Sequence, residues 1–151
     1  MRILFVCHGN ICRSPMAEYI MKHLIRHAGL DWSISSAATT TEALGNDIYP
    51  NAKAELNRHG IPFERRRARQ FRSDEYKDWD LIIAMDMENL NDIRSVIGSD
   101  PEKKVKLLMS FAGEDIAVSD PWYTRDFAIA YNDIHRGCEG LLRKLVKKDA
   151  E

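Results

Sequence analysis

A thiol and a guanidinium stand six positions apart in Cys7-His8-Gly9-Asn10-Ile11-Cys12-Arg13-Ser14-Pro15, directly after the apolar run Ile3-Leu4-Phe5-Val6. A thiolate is a strong nucleophile, and the Arg13 fork can hold two non-bridging phosphate oxygens. Pro15 has a φ suited to the first helical residue, so the loop's backbone N–H groups and the free N–H groups of the helix converge on one spot that favours an anion. The same field stabilises a thiolate, since helix N-termini and nearby cations bring a cysteine pKa from about 8.5 into roughly the 3.5 to 7.5 range. Gly9 and Asn10 tolerate the positive φ that turning amides inward demands. The expected arrangement is a Cys7 nucleophile and an Arg13 anion clamp supplied by one loop, with the amides of His8, Gly9, Asn10, Ile11, Cys12 and Arg13 turned towards the anion. An isolated cysteine after a strand is usually inert packing. As metal ligands, Cys7, Cys12 and His8 lack a second ligand pair.

Such a loop needs a strand before it and a helix after it. The runs Ile3 to Val6, Leu81 to Met85 and Val105 to Met109, with the alternating Trp32-Ser33-Ile34-Ser35, read as four strands, and the continuous runs suit a sheet buried on both faces. Between them Ala17, Ile20, Met21, Leu24, Ile25 and Ala28 recur at helical spacing, with Gly29 as a stop. Pro50 to His59 reads as a second helix, Ser73 as the cap of a short one, and Met87 to Val96 as another. Phe127, Tyr131, Ile134, Cys138, Leu141, Leu142 and Leu145 form the apolar stripe of the last, which assigns Cys138 to core packing. Alternating strands and helices predict an α/β fold with a parallel sheet between helix layers. The carboxyl end of its first strand is a place for ligands.

The 151 residues, 44% hydrophobic, predict one domain over 1–151. With 22 basic and 23 acidic residues nearly cancelling, no global field recruits nucleic acid or a membrane. The N-terminal apolar run is too short for a signal peptide or a membrane span, which favours the cytoplasm. Three scattered cysteines predict free thiols rather than a disulfide framework.

The full Cys7 to Pro15 stretch resembles the phosphate-binding loop of the low-molecular-weight protein tyrosine phosphatases. The similarity runs on through Ser36-Ala37-Ala38-Thr39, His59-Gly60-Ile61, Ala68-Arg69-Gln70, Met85-Asp86 with Asn89, and Ser119-Asp120-Pro121-Trp122-Tyr123. The resemblance implies a three-layer domain with strand order 2-1-3-4, no cofactor and no catalytic metal. Its implied partners are phosphotyrosine-containing proteins or small aryl phosphates. It makes Cys7 the nucleophile that forms a phosphocysteine, Arg13 the clamp and Asp120 the proton donor to the leaving phenolate. Asp-Pro alone is an ordinary turn signal. Pro121 stiffens the loop, and Trp122 and Tyr123 can wall a slot for the ring. Ser14 is assigned to the returning thiolate, and Asn10 and Ser36 to holding the loop's shape. Cys12 either traps oxidised Cys7 as a disulfide or is a small buried residue.

The sequence departs from the family pattern in three places. Arg66 stands where a histidine is common, two residues before Ala68-Arg69-Gln70, within a basic run that reads as a solvated face or a patch for acidic substrates. Thr41-Glu42-Ala43 occupies a segment that often carries an aromatic pocket wall. Glu42 then lines the rim, with Tyr49 as a substitute wall. His8 follows the nucleophile. A phosphoarginine phosphatase of the same family is the nearest alternative, although Ile11 stands where that activity usually has threonine. A thioredoxin-coupled arsenate reductase would need a further resolving cysteine pair, and a non-catalytic phosphate-binding module would have no use for Cys7 and Asp120 together.

Overall fold

The structure, a computed structural model, describes residues 1–150. The apolar run after Met1 forms the central strand β1 (Arg2–Cys7). β2 (Ser33–Ala38) pairs with it on one side and β3 (Leu81–Ala84) on the other, with β4 (Val105–Leu107) outside β3. All neighbours are parallel, in the order β2-β1-β3-β4. Parallel neighbours require crossovers. These contain α1 (Arg13–His27), α2 (Pro50–Arg58) and α3 (Met87–Ile97). A one-turn helix α4 (Pro121–Thr124) and the long α5 (Phe127–Ala150) follow β4.

Alternate residues of β1 face opposite layers. Ile3 and Phe5 pack with Met16 and Ile20 of α1, Leu56 of α2, and Ile134 and Leu141 of α5. Leu4 and Val6 pack instead with Leu90 and Ile93 of α3. Covering both faces explains why the strand is apolar at every position rather than at every second one. β1, β2 and β3 end together at Cys7, Ala38 and Ala84, so the loops leaving them gather at one edge. No helix among the described residues is long and apolar enough to cross a membrane.

Apart from shifts of a single residue at the ends of α2, β3 and α3, four features differ from the sequence expectation. α1 begins at Arg13, not Pro15, and the proline sits within the first turn, where its missing N–H has no intrahelical partner to lose. β2 continues beyond Ser35 through Ala38. The expected strand over Val105–Met109 stops at Leu107, and Leu108–Ala112 form a 3-10 turn closed by Gly113 at φ 72°. α5 forces this bend by its close approach. A Cβ on Gly137 would lie 2.5 Å from Leu108 Cγ, and one on Gly140 would collide with the Phe111 carbonyl oxygen. Ser73 does not cap the short helix. It is the first residue of the 3-10 turn Ser73–Asp78, and the N–H of Arg72 at the cap position donates to Glu75 Oε2 at 2.9 Å.

Candidate active site

Tertiary contacts give the loop between β1 and α1 its shape. Most of its carbonyl oxygens are pinned by donors from outside it. Thr39 N–H donates to the Cys7 carbonyl (3.0 Å), Thr40 N–H and Oγ1 to that of His8 (3.2 and 3.0 Å), and Tyr49 N–H to that of Ile11 (2.9 Å). Arg66 Nη2 donates to the Asn10 carbonyl (2.5 Å), and Met16 N–H to that of Cys12 (3.1 Å). A peptide's N–H and C=O point in opposite directions, so fixing the carbonyls outward turns the amides the other way. Among the described residues, the amides of His8, Gly9, Ile11, Cys12 and Arg13 have no protein acceptor. The α1 N-terminus has no side-chain cap and no acidic residue in its first turn. These orphan donors form the set an anion requires.

Asn10 differs from the other loop residues. It is the one with a left-handed backbone (φ 60°), and its amide donates to Cys7 Sγ at 3.3 Å, as the Ser14 amide does at 3.4 Å. Its side chain organises the rest. Nδ2 donates to Ser14 Oγ (2.8 Å) and Ser36 Oγ (2.9 Å), while Oδ1 accepts from Arg69 N–H (3.2 Å). Ser36 Oγ donates a hydrogen bond to Glu18 Oε1 (2.6 Å), and Glu18 Oε2 pairs with Lys22 Nζ (2.6 Å). With the Asn10 amide occupying a lone pair on Ser14 Oγ, the serine hydroxyl proton is left for Cys7 Sγ, 3.0 Å away, whenever the sulfur is ionised. Asn10, Ser14, Ser36 and Glu18 are all buried, so each mispointed hydrogen would be costly.

Arg13 is nearly inaccessible and held from three directions. Nη1 donates to the Val118 carbonyl at 3.1 Å, and Nη2 lies 2.9 Å from Asp86 Oδ2 and 3.4 Å from Asp120 Oδ2. Asp120 is the cap of α4, with Oδ1 accepting from Trp122 N–H at 3.0 Å. Its loop is tied down by Val118 N–H to the Met85 carbonyl (2.9 Å) and Ser119 N–H to the buried Asp133 of α5 (3.0 Å). The second loop thiol has a different character. Burial above all, with Cys7 and Asp120 adding and Arg13 opposing, pushes Cys12 up to about 12, so it stays a thiol at neutral pH.

A cleft of about 530 Å³ opens over this floor, lined by Cys7, Cys12, Arg13 and Asp120 below and by His8, Glu42, Glu88, Trp122 and Tyr123 around the mouth. Asp120, far from Cys7 and Arg13 in sequence, therefore shares one cavity with them. Tyr49 is not at its surface. It stands behind the rim, edge-on to Trp122 (5.6 Å) and stacked on Phe127 (5.9 Å). Ser14, Ser36 and Asn10 lie beneath the floor. Trp122 and Tyr123 are both exposed.

Three contributors escaped the sequence reading as site residues. Asp86 follows the strand that pairs with β1, a position that carries ligand contacts in parallel sheets and could have marked it. Glu18 left no signal, being one acid in a helical pattern. Arg66 is not a solvated charge. It is half-buried, its guanidinium bonded to the Asn10 and Asn46 carbonyls and its N–H to Asp47. Burial pushes its pKa down, against the pull of Glu18, Tyr19, Cys7 and Asp47. Asp47 holds the rim loop in turn. Burial would raise its carboxyl, but hydrogen bonds from Lys53, Ile48 and Arg66 outweigh it and bring the pKa from 3.8 to about 2.

Comparison with known proteins places this geometry. Residues 2–151 match the family model described as low molecular weight phosphotyrosine protein phosphatase. The chain is 40% identical over 150 residues to the low molecular weight protein-tyrosine-phosphatase YfkJ of Bacillus subtilis, covering 97% of this chain and 96% of that one. The crystal structure of YfkJ superposes with a TM-score of 0.94 at 39% identity, covering 98% and 96% of the two chains. PtpA of Staphylococcus aureus, described in the same terms, is 35% identical over 146 residues, 96% of this chain and 94% of its own. The Drosophila arginine phosphatase DARP has a TM-score of 0.88 at 33% identity, covering 96% and 98%.

Proposed function

Because this chain belongs to the low molecular weight phosphotyrosine protein phosphatase family, a family of cysteine-dependent phosphatases, we propose that Cys7, Arg13 and Asp120 carry out its hydrolysis of phosphotyrosine and aryl phosphates. The phosphoryl group sits among the five unpaired amides, with Arg13 on its equatorial oxygens. The Cys7 thiolate attacks phosphorus in line with the leaving oxygen. The P–S bond forms as the P–O bond breaks, and the Asp120 carboxyl passes its proton to the phenolate. Water then attacks the phosphocysteine from the vacated side. Asp120 takes the water's proton, the P–S bond breaks, and the Ser14 hydroxyl donates to the returning thiolate. The single observation that carries this reading is the convergence of Cys7, Arg13 and Asp120 on one cleft.

The rim favours an aromatic leaving group, since Trp122 and Tyr123 offer ring faces beside Asp120. Phosphoarginine is the second reading, supported by the likeness to DARP; the side chain of Ile11 in the same cleft favours the flat ring of tyrosine. The substrates are therefore phosphotyrosine-containing proteins or small aryl phosphates, met in the cytoplasm. The deciding experiment compares turnover of phosphotyrosine, phosphoserine and phosphoarginine peptides and of arsenate, with Cys7→Ser beside the wild type. Phosphotyrosine should be hydrolysed fastest, and Cys7→Ser should lose activity by about 10⁴-fold or more. Turnover that survives in Cys7→Ser would remove the phosphocysteine route.

A further inference from the structure

The cleft offers free amides and Arg13 at its floor yet is rimmed by acids. Its lining includes four carboxylates, those of Glu42, Asp86, Glu88 and Asp120, against one guanidinium and one imidazole. Two are accounted for, because Asp86 and Asp120 both lie against Arg13. The other two stand at the mouth, Glu42 and Glu88, with side chains 70% and 74% exposed. Between them is His8. Its Nε2 is 2.8 Å from Glu42 Oε2, and its Nδ1 is 4.0 Å from Glu88 Oε1. A neutral imidazole has one N–H to give. If Nε2 gives it to Glu42, the lone pair of Nδ1 faces Glu88. Among the described residues, Glu88 has no other cationic partner within ion-pair distance.

We propose that Glu42 and Glu88 form a charge filter that admits phosphotyrosine segments with lysine or arginine next to the phosphotyrosine and disfavours segments with acidic neighbours. The inference rests on the phosphotyrosine reading given above and adds the sequence context of the substrate. A phosphate dianion entering between the two exposed carboxylates is repelled by both. A basic neighbour neutralises one of them and repays the approach, whereas an acidic neighbour adds a third repulsion. The head of that lysine or arginine reaches Glu88 at the mouth. Exposed pairs of this kind are individually weak and screened by salt, which gives the filter a signature that shape selection lacks.

The test uses the full chain and a set of phosphotyrosine peptides identical except for the two neighbours of the phosphotyrosine, which are lysine, alanine or glutamate. The kcat/KM for the lysine peptide should exceed that for the glutamate peptide by about tenfold at low ionic strength, and the ratio should approach unity in about 0.5 M salt. The double variant Glu42→Gln/Glu88→Gln should compress the low-salt ratio below about twofold, and Glu88→Lys should invert it. Hydrolysis of 4-nitrophenyl phosphate, which has no neighbours, normalises each variant. Equal rates for all peptides in the wild type, or a ratio that the double variant leaves in place, would overturn the filter alone. Failure to hydrolyse any of the peptides would overturn the filter and the phosphotyrosine reading together.

Discussion

The floor and the rim of the cleft are held by different physics. Around the floor, Asn10, Ser14 and Arg13 are buried, and the side chain of each is fixed by more than one partner. Around the rim, Trp122 has Tyr49 alone as an aromatic neighbour among the described residues, and Tyr123 is 83% exposed. Burial makes each floor hydrogen bond expensive to lose, so the anion nest is formed before substrate arrives. The rim incurs no such penalty and can change with little cost to the fold. On the proposed reading, phosphate chemistry and substrate choice are therefore separable, the first stored in a buried network and the second in exposed side chains.

Substitutions along this division test it. Asp120 belongs to both regions, touching Arg13 below and capping the Trp122 turn above. Asp120→Ala should lower kcat by about 10²- to 10⁴-fold on phosphotyrosine. The loss on 4-nitrophenyl phosphate should be smaller, because that phenolate leaves with less help from a proton. Equal losses on both would mean that Asp120 positions Arg13 rather than donating a proton. Arg66→Met removes the donor that holds the Asn10 carbonyl and should weaken inhibition by inorganic phosphate about tenfold. Its stability should fall by about 2 kcal/mol, measured by urea unfolding. Unchanged phosphate inhibition would place Arg66 outside the floor.

The rim should respond more mildly. Trp122→Ala should raise KM for phosphotyrosine peptides by about fivefold, roughly 1 kcal/mol of ring contact, and shift phosphate inhibition far less. A large change in phosphate inhibition would contradict the division. Asp47 gives the smallest effect and a pH signature. Its carboxyl has a pKa of about 2 in the folded chain against an ordinary 3.8, so its contribution is fully present above the ordinary value and is lost as pH falls through the folded one. Asp47→Asn should therefore be less stable than the wild type at pH 5 and converge with it towards pH 2, as followed by acid unfolding.

Much of the site was legible because its chemistry is local. Cys7, Gly9, Asn10 and Arg13 fall within one turn of chain between an apolar run and a helical pattern, and the expected strand and helix flank them. Asp120 was legible only beside the family's Asp-Pro-aromatic pattern. Glu18 and Arg66 were not legible in their roles. An acid on a helix and an arginine in a basic run are ordinary on a surface, and only the packing of α1 against β2 and of the Arg66 segment beneath the loop buries them. Tyr49 was placed at the rim and stands behind it, because its ring stacks on Phe127. β4 was read too long, because nothing in Val105-Lys106-Leu107-Leu108-Met109 announces that two glycines of α5 will press against the turn that follows.

The sequence by itself determined which loop carries Cys7 and Arg13 as candidate nucleophile and clamp, and the alternation of strands and helices, since each depends on residue type and on spacing along a few turns of chain. The tertiary structure decided which way the loop's amides face, because that depends on donors from Thr39, Thr40, Tyr49 and Arg66 capturing its carbonyls from outside. It also decided the company of Arg13, where Asp86 and Asp120 arrive from separate loops. Hydrogen bonds and ion pairs act over a few ångströms, so a contact between residues a hundred positions apart exists only once the sheet has brought its strand ends to one edge.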